Sequence, residues 1–161
     1  MRLFNQLHYG IRMGEFDKQN LIVIFNQIDK LKHVKNEDLQ NILSKNTIGR
    51  DEEGNLILHN KGMLDMDELQ WMQQEMLHFL KETNPLFYGK LKQIACYCNV
   101  TIFVNAELNQ EIEGLKYNPE EITPFRTDEF WLYFLHMNGM AKSSKKANKY
   151  SNFMEWMKGD H

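Results

Sequence analysis

Residues Asp65–Lys81 carry the pattern that most restricts how this chain can fold. Leu69, Met72, Met76 and Leu80 recur at the three- and four-residue spacing of a helix with one buried face, and Leu77 widens the stripe. Asp67, Gln70, Gln74 and His78 fall together on the outer side. Asp65 followed by Glu68 has the spacing of a capping box, with Asp in the cap role. The rest of the chain therefore has to supply a core for a long amphipathic helix.

The flanking sequence supplies further elements. Asp17–His33 places Leu21, Ile24, Phe25, Ile28 and Leu31 at helical spacing, so a helix is expected there, with Ile22 and Val23 widening its apolar face. Asn36 is a cap for a shorter helix that buries Leu39, Ile42 and Leu43. Thr47–Arg50 and Asn55–His59 flank Asp51-Glu52-Glu53-Gly54, which reads as a β-hairpin. Asn84-Pro85 is a cap followed by proline in the first turn and opens a helix toward Cys98. Val100–Val104 is β-branched and aromatic and reads as a strand. Thr127-Asp128-Glu129 starts a helix that Asn138-Gly139 stops, although the run Phe130–Leu135 is apolar on every side and equally suits a buried strand.

A chain of 161 residues is the size of one domain. With 42% hydrophobic and 25% charged residues it has the composition of a globular core rather than of a disordered polymer. The net charge of −3 does not suit a protein that coats nucleic acid or an anionic membrane. The longest apolar run, six residues, is far short of the ~20 that span a bilayer. Met1–Gly10 breaks its apolar character with Asn5, Gln6 and His8, unlike a secretory signal. Two cysteines alone, Cys96 and Cys98, exclude a disulfide scaffold and fit a reducing cytoplasm. Lys outnumbers Arg 15 to 4 and Asn reaches 16 against 4 Ala, a preference for A/T-rich codons that fits a bacteriophage or a low-GC bacterium.

Catalytic signatures are sparse. Cys96-x-Cys98 has no second pair and the six histidines are scattered, so the cysteines read as small buried hydrophobes and no metal is expected. Glu107, Glu111, Glu113, Glu120 and Glu121 form an acidic segment in which Glu107 and Glu111 would share a helical face suited to magnesium. This faintly resembles the all-helical nucleotide pyrophosphohydrolases, which would imply a magnesium-dependent nucleotide hydrolase. The spacing is Glu-x3-Glu, however, and no Glu-x-x-Asp follows in the chain. A solvated acidic surface is the simpler reading. No nucleophile elbow, phosphate loop or dinucleotide fingerprint is present. Lys142, Lys145, Lys146 and Lys149, with Tyr150 beside them, offer an electrostatic contact for phosphates. Residues 104–129 carry a net charge of −5, which would repel nucleic acid nearby.

These features lead to a helix-dominated α+β fold with a small antiparallel element. The body is expected over 1–139, a basic flexible linker over 140–149 and a short aromatic helix over 150–161. No catalytic constellation, cofactor or metal is expected. Trp131, Tyr133, Phe153, Trp156 and Met157 are the candidates for an exposed anchor surface, because aromatic and Met side chains give large contact area at small entropic cost. The expected function is a non-enzymatic, cytoplasmic, protein-binding inhibitor or adaptor. In length and overall composition, though in no specific motif, the chain resembles the phage-encoded proteolysis inhibitors of the Lon ATP-dependent protease. That resemblance implies a phage accessory protein whose partner is a large oligomeric ATPase of the host. The excess of apolar side chains in Phe130–Leu135 further suggests a homodimer joined through that run.

Overall fold

The computed structural model describes residues 20–106 and 122–144. Their fold is helix-dominated α+β. In chain order the elements are β1 (Asn20–Asn26), a 3-10 turn (Ile28–Leu31), α1 (Glu37–Leu43), β2 (Ile48–Arg50), β3 (Leu56–Leu58), α2 (Met66–Thr83), α3 (Pro85–Ala95), β4 (Asn99–Asn105) and α4 (Thr127–Met137).

Three helix starts follow the capping chemistry written in the sequence. The Asn36 carboxamide accepts from Leu39 N–H at 2.9 Å, Asp65 accepts from the N–H groups of Asp67 and Glu68, and Asn84 accepts from Phe87 N–H at 3.2 Å. The α2 stripe lies at the centre of the core: Leu69, Met72, Met76, Leu77 and Leu80 are buried against Leu39 and Ile42 of α1 and Leu91 and Ile94 of α3. The β2–β3 hairpin is antiparallel, with Ile48 opposite Leu58, and Asp51 organises its turn by accepting from the N–H groups of Glu53 and Asn55. Gly54 takes φ +86° there, a conformation that glycine alone adopts without strain.

The first expected helix is a strand. Asn20–Asn26 runs parallel to β4 in full register, from Asn20 opposite Asn99 to Asn26 opposite Asn105. The five consecutive apolar residues Leu21–Phe25 suit a strand covered on both faces as well as a helix, and three of them are β-branched. Gln27 then turns left-handed, at φ +60°, and ends the strand. Ile28 and Leu31, which completed the apparent helical period, belong to the following 3-10 turn. Period alone does not separate the two forms over so short a run.

Helices pack on both faces of the β1–β4 pair and bury β4, while the β1 residues stay half-buried or exposed. Phe25 meets Phe87 of α3 edge-on, 5.8 Å between centroids, and Phe103 meets Phe130 and Tyr133 of α4 at 5.8 and 5.3 Å. The outer edge of β4 is closed by a side chain: the buried Gln73 of α2 accepts from Ile102 N–H at 3.1 Å. Gln73→Met keeps the volume but strands that N–H, so a loss of about 1–3 kcal/mol in urea unfolding is expected. An unchanged unfolding midpoint would show that this edge tolerates an open donor.

Beyond α4 the chain turns at Gly139, φ +72°, where Met140 N–H returns to Leu135 C=O at 2.8 Å. It then runs beside Leu64: Leu64 N–H donates to Lys142 C=O, Ser144 N–H donates to Leu64 C=O, and Ser144 Oγ accepts from Met66 N–H. The first residues of the lysine-rich stretch are thus strapped to the start of α2. The acidic residues 107–121, and Lys145, Lys146, Lys149, Phe153, Trp156 and Met157, lie outside the described residues.

Candidate functional site

The middle of helix α4, Phe130–Leu135, is apolar all round, but only one side of the helix is buried. Glu129, Leu132 and Tyr133 face the core, and the Tyr133 hydroxyl hydrogen-bonds that of Thr101 at 3.1 Å. The other side presents Trp131 (61% exposed), Phe134 (46%) and Met137 (49%), with Met140 (70%) just past the helix. Trp131 and Phe134 meet edge-on at 6.4 Å, and Trp131 also contacts Phe130 at 5.2 Å. The aromatic run thus divides: Trp131 points outward into water, whereas Tyr133, expected beside it, is a core residue. Two positions along a helix differ by about 200°, so the pair could not share a face.

A buried ion cluster holds this helix in place. Arg126, whose side chain is fully buried, precedes α4 in a left-handed conformation, φ +52°. Its Nε and one terminal nitrogen grip both oxygens of Glu129, at 2.8 and 2.7 Å. The other terminal nitrogen donates to Glu68 Oε1 of α2 at 2.9 Å and to Lys45 C=O at 2.8 Å, and the Arg126 backbone N–H reaches Asn46 Oδ1 at 3.0 Å. One side chain therefore joins α4, α2 and the loop before β2. Planar, bidentate pairing of this kind is specific to guanidinium and carboxylate geometry. Around the cluster, Thr47 donates to Asp128, Asn60 donates to the same carboxylate at 3.1 Å, and the Lys45 ammonium sits 3.7 Å above the Trp71 ring.

An open pocket of about 490 Å³ adjoins the cluster, lined among others by His59, Asn60, Asp65, Glu68 and Glu129. Most of these polar groups are engaged within the protein: Asp65 caps α2, while Glu68 and Glu129 hold Arg126. Their arrangement fixes elements relative to one another. Among the described residues, no group of three or more His, Cys, Asp or Glu side chains is placed to hold a metal ion. Cys98 is buried, and burial pushes its thiol pKa up, but Cys96 is exposed, so only one cysteine fits the expected core role.

The structure assigns places to Trp131, Tyr133 and Lys142 among the expected contact residues, and only Trp131 joins the apolar face. Phe134, Met137 and Met140 belong to that face and escaped the sequence reading; the helical spacing from Trp131 to Phe134 was the available signal. The Arg126 cluster was also missed, although Glu129 three residues after Arg126 is a helix-compatible pair. No helix among the described residues is long and apolar enough to cross a membrane. Comparison of the chain with protein-family models, curated proteins and solved structures finds no match in any of the three.

Proposed function

We propose that this protein acts in the cytoplasm by binding another protein, without doing chemistry itself, and that the outward side of α4 is its anchor surface. The observation that carries this reading is the row Trp131, Phe134 and Met137, continued by Met140 just past the helix, large apolar side chains left in water on the side of α4 away from the Arg126 cluster. Aromatic side chains on a rigid support bind with little loss of conformational entropy, and methionine adapts its shape to the surface it meets. Lys142, at the start of the basic stretch, supplies an exposed charge beyond the apolar row. Residues 145–161, with Lys145, Lys146, Lys149, Phe153, Trp156 and Met157, extend the contact as a second arm in this reading.

The class of partner is a host protein met by a phage accessory protein. Resemblance in length and composition to the phage proteolysis inhibitors makes the Lon ATP-dependent protease the first partner to test. Purified Lon degrading an unfolded substrate such as casein gives the assay. Added protein is expected to slow degradation in a saturable way, and Trp131→Ala should require at least tenfold more protein for the same effect. Degradation that proceeds at full rate in excess wild-type protein would eliminate Lon as the target.

A further inference from the structure

The two outer edges of the β1–β4 pair differ. The β4 edge is capped by Gln73 and, past the strand, by an antiparallel bridge between Ala106 and Phe125. The outer edge of β1 receives no backbone partner from any other described element. It is seven residues long and contains no charge or proline, devices that ordinarily keep a free strand edge from pairing.

Its sequence is also self-complementary. Asn20-Leu21-Ile22-Val23-Ile24-Phe25-Asn26 has the same pattern of side-chain types in both directions about Val23. We infer that β1 is the interface for a second copy of this chain, paired antiparallel about a two-fold axis at Val23. Asn20 then faces Asn26 of the second copy, Leu21 faces Phe25, Ile22 faces Ile24, and Val23 faces its own equivalent. Ile24, 42% exposed in one copy, gains a β-branched cross-strand partner on the sheet face shared with Phe103. The product is a four-stranded sheet in the order β4-β1-β1-β4, whose remaining edges are those covered by Gln73. Such an isologous contact closes on itself and does not propagate into a fibre. It leaves the Trp131 face of α4 free, so it does not depend on the function proposed above.

Light scattering on the full chain at tens of micromolar is the test. The wild type is expected at twice the mass of one chain. Ile24→Lys, a change at an exposed position that puts a charge into the seam, should give a folded monomer by circular dichroism and scattering. A second variant reads the register. In a Cys96→Ser background, Val23→Cys should form an intermolecular disulfide under mild oxidation, because self-facing Cβ atoms lie about 4.5–5.5 Å apart. Asn26→Cys, which faces Asn20, should not. A monomeric wild type would overturn the inference, and so would a dimer that survives Ile24→Lys but is lost in Trp131→Ala.

Discussion

Replacing Arg126 with methionine is expected to cost about 3–5 kcal/mol of stability, the loss seen when one partner of a buried ion pair is removed. The variant leaves Glu129, 3% exposed, without the group that grips both its oxygens, and it also frees Glu68 and the Lys45 carbonyl. Replacing Glu129 with leucine as well should recover much of the loss, since two apolar side chains in place of a buried pair are often neutral. The cost should also depend on pH. Burial pushes the Glu129 carboxyl up to about 7 from 4.5, against the pull of Arg126 and with Asp128 and Glu68 adding to the rise. A carboxyl raised in the folded state holds its proton more tightly there than in the unfolded chain. Its stabilising contribution is therefore full below about pH 4.5 and is lost as pH rises through about 7. Wild-type stability should fall across that window, Glu129→Gln should flatten the fall, and the Arg126→Met deficit should be larger near pH 8 than near pH 5. Urea titrations at several pH values measure all three. A deficit below about 1 kcal/mol at every pH would mean that the cluster does not pin α4.

Trp131→Ala is expected to do the opposite. The side chain is mostly in water, so unfolding should change by no more than about 0.5 kcal/mol, the range for exposed positions. Partner affinity should drop by more than about 2 kcal/mol, roughly 30-fold, the loss at a central aromatic anchor. Tyr133→Ala is the internal control: it empties a site packed against Phe103 and breaks the bond to Thr101, so about 3–5 kcal/mol of stability should go while the outward face stays intact. Side by side, denaturation and titration of these two variants separate an anchor from a core residue.

Elements whose ends carry local chemistry were legible in the sequence. Asn36, Asp65 and Asn84 each cap a helix through a bond to an N–H two or three residues away, and such short-range signals survive without tertiary knowledge. Strand β4 was legible from its β-branched run. β1 was not, because its identity depends on a partner 79 residues distant, Asn99 facing Asn20, and on layers above and below it. The Arg126 cluster was hidden for the same reason: its contacts reach 58 residues back to Glu68 and 81 back to Lys45. In the sequence it is a single cation at the end of an acidic stretch. Which residues of Phe130–Leu135 face outward could not be read from a run apolar on every side. The core decides it, placing Leu132 and Tyr133 inward and leaving Trp131 and Phe134 in water.

In the function proposed above, the outward side of α4 is the surface through which this protein meets its partner. The most direct measurement is parallel affinity capture from a bacterial lysate on immobilised wild type and Trp131→Ala, followed by titration of any protein that only the wild type retains. Such a protein is expected, with an affinity for the wild type at least tenfold above that for Trp131→Ala and for Phe134→Ala. Identical retention by all three, with equal dissociation constants, would contradict it.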